Sequence, residues 1–163
     1  MGSVGCVVQP SGTVSLLFTD IEGSTRAWES FPVEMQAALR RHDELMRSAI
    51  ESAGGFVFKT VGDAFCCVFA DSRGGVVAAA EAQRALVRES WPAVTPIRVR
   101  MALHTGECER REGDYFGPTV NRLARLMAVG WGGLTLVSGT TAGIVAARLP
   151  SEHSWCDRGG RIL

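Results

Sequence analysis

Phe56-Val57-Phe58-Lys59-Thr60-Val61 and Ala64-Phe65-Cys66-Cys67-Val68-Phe69 are two β-rich runs joined by the step Gly62-Asp63. Aromatic and β-branched runs around a short Gly-containing step predict a hairpin. Upstream, Leu39, Leu45, Met46, Ala49 and Ile50 form a helical stripe within residues 33–53, which Gly54-Gly55 ends. Before that helix, residues 13–19 (Thr-Val-Ser-Leu-Leu-Phe-Thr) read as a buried strand. It runs into the polar turn Asp20-Ile21-Glu22-Gly23-Ser24-Thr25, where Ser24 or Thr25 is expected to cap a short helix.

Downstream of the hairpin, residues 72–89 are Ala-rich and helical, and residues 97–105 alternate as a strand. The polar segment 107–117 reads as a loop or short arm. Pro118 is placed to open a helix to about residue 129. Residues 134–137 read as a short strand, 138–147 as a helix, and 153–163 as the start of another β element. The order β, α, β-hairpin, α, β, α, β, α predicts an α+β fold. Its expected form is a ferredoxin-like, antiparallel-rich sheet packed with helices. Residues 1–12 are expected to form a flexible leader and 13–163 one domain, with truncation at the C-terminus as a further expectation.

The 163 residues suit a single domain, and 46% hydrophobic against 21% charged residues supplies a core. Seventeen Lys+Arg balance seventeen Asp+Glu, so a broad nucleic-acid surface is not expected. Phosphate binding here should be local or metal-assisted. The five cysteines lack a C-x-x-C pair, which points to buried free thiols in a reducing compartment. There is neither a signal-peptide pattern nor an apolar run of about 20 residues, so the expected placement is soluble and cytoplasmic. His42, His104 and His153 show no ligand spacing and are expected to be structural. The Trp and Met residues are expected in core or interface.

Four constellations could carry chemistry. Asp20 and Asp63 each follow a β-rich run directly. Neighbouring runs would bring both carboxylates to one sheet edge, where a hard cation would relieve their repulsion. Two such cations about 3.5–4 Å apart suit a phosphoryl displacement. On spacing alone, both residues could equally be turn caps. The turn at Gly23-Ser24 could offer backbone N–H groups to phosphate, although Gly-Ser turns are common and no P-loop motif is present. Asn121 and Arg125, four apart, share one helix face; they could meet a sugar oxygen and a charged phosphoryl group, or form a solvated polar face. Lys59 and Asp114 supply a donor and an acceptor, the pattern that matches N1 and the 6-amino group of adenine and mismatches guanine. They could also be an edge-strand lysine and a loop carboxylate.

Order and spacing together are more specific. Leu17-Phe18-Thr19-Asp20-Ile21-Glu22-Gly23-Ser24-Thr25 resembles the first metal motif of class III nucleotidyl cyclases. Phe58-Lys59-Thr60-Val61-Gly62-Asp63-Ala64-Phe65 resembles the motif joining an adenine-selecting Lys to the second metal Asp. Arg100-Met101-Ala102-Leu103-His104-Thr105-Gly106 resembles the family strand that begins with a phosphate-binding Arg. Asp114 through Leu126 resembles the segment with the adenine-selecting Asp and the transition-state Asn and Arg. The likeness covers residues 13 to about 160 and is similar to compact, short-arm bacterial members.

The resemblance implies an adenylyl cyclase that converts ATP to cyclic AMP and pyrophosphate at sites shared across a homodimer. It implies two Mg²⁺ or Mn²⁺ ions on Asp20, Asp63 and the Ile21 carbonyl. Lys59 and Asp114 would select adenine, Asn121 would orient ribose, Arg125 would stabilise the α-phosphate, and Arg100 would contact the terminal phosphates. A further phosphate-binding Lys or Arg near the family's C-terminal strands has no match before Leu163. The rivals are a guanylyl cyclase, which Lys59 and Asp114 oppose, and a silent nucleotide-binding or dimerisation module. A diguanylate cyclase is disfavoured because Gly62-Asp63-Ala64-Phe65 stands where G-G-[DE]-E-F is required.

Overall fold

The structure is a computed structural model that describes residues 8–154 and 156. Its first strand, β1 (Gly12–Ile21), leads to the short helix α1 (Ser24–Ser30) and the long helix α2 (Pro32–Ser52). The hairpin β2 (Phe56–Val61) and β3 (Ala64–Phe69) follows, then α3 (Ser72–Arg88) and β4 (Val99–Arg111). The chain continues through β5 (Asp114–Phe116), α4 (Pro118–Ala128), β6 (Thr135–Val137) and α5 (Gly139–Val145). The expected β element at 153–163 lies mostly outside the described residues.

The sheet order is β2-β3-β1-β4-β5, with β6 parallel to β4. Every pair along the β2-β3-β1-β4-β5 path is antiparallel, and β3 lies between β2 and β1. This is the split β-α-β arrangement of a ferredoxin-like sheet. Alternation along the strands divides the apolar residues between two faces. Leu17, Phe65, Cys67, Phe69, Met101 and Leu103 pack with Met46 and Ile50 of α2 and Ala78 and Ala82 of α3. Leu16, Val68 and Ala102 face the other way, against Leu123 of α4 and Tyr115 of β5.

Three expectations change. Gly23, in the left-handed region at φ 70°, occupies the N-cap of α1, and no side chain caps that end. Ser24 is therefore inside the helix rather than its cap. The segment 107–117 is a β-hairpin: β4 continues to Arg111 and pairs with β5 in the register Arg111↔Asp114. Its tip, Glu112-Gly113, has positive φ at both residues (51° and 81°), the requirement of a type I′ turn. The polar composition that reads as loop is that of an exposed two-stranded arm. Finally, the described end of the leader is held in place: the Tyr115 hydroxyl donates to the Pro10 carbonyl at 2.6 Å, and Gly12 already belongs to β1.

One set of buried hydroxyls is mutually satisfied, whereas the Thr95 hydroxyl and His42 Nε2 are buried without a partner among the described residues. Ser15, Ser72, Thr105 and Thr141 link β1, α3, β4 and α5 through hydroxyl contacts of 2.6–3.3 Å. His42 is fully buried beside Asp43, and His104 bonds the Ser138 hydroxyl at 2.7 Å, which gives both a structural setting. Four described cysteines are free thiols, with Cys67 and Cys108 buried; burial pushes the half-buried Cys66 up to about 11. Met35, Met46 and Met101 are core, whereas Trp28 and Trp131 are partly exposed.

Candidate active site

Asp20 and Asp63 meet at one corner of the sheet. Asp20 is the penultimate residue of β1, and Asp63 lies in the β2–β3 turn. Because β3 pairs directly with β1, that turn is delivered beside the end of β1. The Ile21 amide then donates to Asp63 Oδ2 at 2.8 Å. Asp63 is thus fixed by the backbone of the residue that follows Asp20, and Ile21 itself is 5% exposed.

Arg100 faces Asp20 across the β1–β4 ladder. Its guanidinium donates through Nε to Oδ1 at 2.5 Å and through Nη2 to Oδ2 at 2.7 Å. Such a bidentate, charge-assisted pair is strong for its exposure. Hydrogen bonding to Asp20 raises Arg100 above its ordinary pKa, and the charges of Glu22 and Asp63 add to this. Arg100 therefore serves Asp20 in this structure rather than standing free for a phosphate. The register Asp20↔Arg100 was the missing signal, since it follows from strand pairing and not from spacing along the chain.

Among the described residues, no three His, Cys, Asp or Glu side chains converge as a ready-made metal cage. The donors are two carboxylates and the adjacent Ile21 carbonyl. This hard-oxygen set suits Mg²⁺ or Mn²⁺, which retain water and phosphate ligands. The guanidinium on Asp20 occupies the role of a cation there, so the residues present fit such ions.

Lys59 and Asp114 also meet, by a longer route. Strand β2 carries a bulge between Val57 and Lys59. The ladder resumes at Lys59↔Cys66, so Phe58 is the additional residue. A bulge re-aims the side chains that follow it. Simple alternation would put Lys59 on the face of Val57, but the bulge gives Phe58 and Lys59 the same face. The β4–β5 arm folds over that face. Phe58 meets Tyr115 edge-on with ring centroids 4.8 Å apart, and Lys59 Nζ donates to Asp114 Oδ2 at 2.7 Å. The other carboxylate oxygen accepts the Tyr115 amide at 2.8 Å. Hydrogen bonding to Asp114 raises Lys59, and hydrogen bonding to Lys59 lowers Asp114, so the two form an ion pair. With side chains 49% and 30% exposed, the pair remains open to a ligand edge.

Asn121 and Arg125 lie on α4 as expected, and both are exposed. Among the described residues neither side chain has a hydrogen bond or ion pair. No hydrogen bond or ion pair joins the Asp20/Asp63 corner to the Lys59/Asp114 pair among those residues either. Gly23 and Ser24 adjoin the Asp20 corner at the start of α1, beside backbone N–H groups that a helix start leaves without intrahelical partners. The sequence reading missed a role for Glu22. It lies inside the first quoted motif, and its carboxylate accepts the Gly132 amide at 3.0 Å.

Known proteins resemble this chain in sequence and fold. The profile of the adenylate and guanylate cyclase catalytic domain matches residues 6–160. A Mycobacterium tuberculosis protein without an assigned function is 37% identical over 156 residues, covering 94% of this chain and 52% of that protein. The adenylate cyclase of Podospora anserina is 34% identical over 157 residues, covering 81% of this chain and 7% of that protein. The chain spans about half the length of the mycobacterial relatives it matches and a far smaller share of the fungal ones. Among solved structures, an adenylate/guanylate cyclase/hydrolase from Silicibacter pomeroyi superposes with TM-score 0.79 at 29% identity, covering 90% of this chain and 86% of that one. A Trypanosoma brucei adenylate cyclase in its monomeric state gives TM-score 0.76 at 30% identity, covering 88% and 79%. No described helix is long and apolar enough to cross a membrane. With the family profile spanning nearly its whole length, this chain belongs to the adenylate and guanylate cyclase catalytic domain family.

Proposed function

We propose that the chain is an adenylyl cyclase, acting as a cytoplasmic homodimer that converts ATP to 3′,5′-cyclic AMP and pyrophosphate. The observation that carries the base preference is the Lys59–Asp114 pair, a donor and an acceptor 2.7 Å apart on an open face. A bound adenine would replace this mutual contact with one to its 6-amino group and one to N1. Guanine presents an acceptor and a donor in the reverse places, so both residues would be left unpaired.

Asp20, Asp63 and the Ile21 carbonyl would hold two Mg²⁺ or Mn²⁺ ions. When bound, these supply Lewis-acid stabilisation of the attacking and leaving oxygens. Arg100 would release Asp20 as cations arrive and turn to the terminal phosphates. Gly23 and Ser24 would border the triphosphate. Asn121 would orient the ribose so that its 3′-oxygen lies in line with the α-phosphate, and Arg125 would meet the charge that grows there. The separation of the two corners within one chain supports a site completed by a second copy: one copy would supply Asp20 and Asp63, the other Lys59, Asp114, Asn121 and Arg125. A twofold dimer would contain two such sites.

Product identification from ATP and from GTP with Mn²⁺, at several protein concentrations, tests this reading. Cyclic AMP should dominate, and the rate per chain should rise with concentration. A preference for GTP would overturn the base assignment. ATP binding without cyclisation would favour a silent module.

A further inference from the structure

Beyond the metal-binding and base-reading residues, Glu22 holds the place where the metal corner meets the rest of the chain. The ladder between β1 and β4 ends at Ile21↔Val99, and the Glu22 amide adds one more bond, to the Arg98 carbonyl at 2.8 Å. At Gly23 the chain turns away. The Glu22 side chain crosses the end of β4 and accepts the Gly132 amide, in the segment between α4 and β6.

That segment grips β4 on both sides of Arg100. The Gly133 amide donates to the Val99 carbonyl at 2.9 Å, and the Met101 amide donates to the Leu134 carbonyl at 2.9 Å. Gly132 sits so close that a Cβ there would lie 2.6 Å from the Arg98 Cβ and 2.7 Å from Glu22 Oε2. Only glycine admits this approach. Four elements therefore meet at one carboxylate: the Asp20–Ile21 ligand segment, the strand carrying Arg100, the glycine-rich segment, and through it α4.

We propose that Glu22 is a positioning residue. Through the Gly132 amide it fixes the Asp20–Ile21 segment relative to Arg100, and so sets the affinity of the corner for divalent cations. Its effect on the reaction rests on the proposed cyclase activity; its hold on Gly132 does not. Outer groups that orient metal ligands are worth about 10–100-fold in metal affinity or activity.

The test compares Glu22→Ala, Glu22→Asp and Glu22→Gln in the full chain. Alanine removes the acceptor, and aspartate withdraws it by one methylene. Glutamine keeps a carbonyl at the same reach. Amide hydrogen exchange at Gly132 should accelerate in the first two variants and stay close to wild type in the third. The Mn²⁺ half-saturation of cyclisation should rise about tenfold in the first two, with kcat at saturating Mn²⁺ changing less, and glutamine should recover most of the shift. Unchanged exchange at Gly132 or unchanged half-saturation in Glu22→Ala overturns the proposal. So does a Glu22→Gln variant as impaired as Glu22→Ala, since that would make charge and not the brace decisive. If wild type forms neither cyclic AMP nor cyclic GMP, the functional reading fails by itself. The exchange comparison and Mn²⁺ binding followed by paramagnetic resonance then judge Glu22 independently.

Discussion

Asp20 and Asp63 reach their corner by a short route, whereas Lys59 and Asp114 meet across a sheet face with a bulge and a folded-over arm between them. The first corner is anchored by the backbone: Asp63 is held by the Ile21 amide, and Ile21 is buried. The second is anchored by side chains, one aromatic contact and one ion pair, on an arm that ends in a type I′ turn. The difference fits a division of labour. A cation site tolerates little movement of its ligands, whereas a base-reading site must open to admit a flat ring. It also fits the proposed second copy, since no hydrogen bond or ion pair joins the corners among the described residues.

The largest expected effect comes from breaking the first corner. Asp20→Ala or Asp63→Ala should remove several kcal/mol of transition-state stabilisation, about a thousandfold or more in turnover. The fold should survive, because Asp20 lies at the end of β1 and Asp63 in the β2–β3 turn; circular dichroism checks this beside the assay. Arg125→Ala should cost about 10²–10³ in kcat, as loss of one preorganised donor does. The two lesions together test the division directly. Mixing Asp20→Ala chains with Arg125→Ala chains should restore about a quarter of wild-type activity: half the dimers are mixed, and one of two sites in each is intact. No restoration would mean that each chain completes its own site.

The second corner should fail more gently. Lys59→Glu leaves Asp114 facing a like charge and removes the donor to adenine. Each unpaired polar group costs about 1–3 kcal/mol, so ATP use should fall about ten- to hundredfold while the Asp20/Asp63 corner stays intact. Rates with ATP and GTP measured side by side give the answer. Equal losses for both nucleotides would remove base reading from Lys59.

The two corners also differ in how far they could be read in advance. The hairpin, the long helix and the carboxylates at strand ends are local patterns, and the sequence reading expects β2, β3, α2 and α3 to within a residue or two at each end. Asp20 and Asp63 follow from those elements once β3 is placed beside β1. Lys59 with Asp114 does not follow. The bulge at Phe58 breaks the two-residue alternation, and the arm carrying Asp114 is too polar to register as strand. The Arg100–Asp20 and Glu22–Gly132 contacts were hidden for a related reason, because the partners lie 80 and 110 residues apart. Family likeness supplied the pairing of Lys59 with Asp114 where residue-by-residue physics left it open.

The smallest expected effect separates the corners by pH. His42 feels the charge of Asp63 from the first corner; it is fully buried and edge-on to Phe65 at 5.7 Å, with Arg47 over the same ring. Burial lowers its pKa below the ordinary 6.5, and the hydrogen bond to Asp43 and the charge of Asp63 offset this only in part. A histidine kept neutral by the fold adds stability that is fully present above the unfolded value of 6.5 and is lost as pH falls through and below it. The slope for one such group is at most about 1.4 kcal/mol per pH unit. Thermal melts of wild type should therefore fall between pH 6.5 and the lowered value, and His42→Leu should flatten that fall. The Lys59–Asp114 pair contributes nothing in this window: Asp114 is lowered from 3.8 and Lys59 raised from 10.5, so both stay charged throughout. An unchanged slope in His42→Leu would mean that the acid sensitivity of the fold arises from groups other than His42.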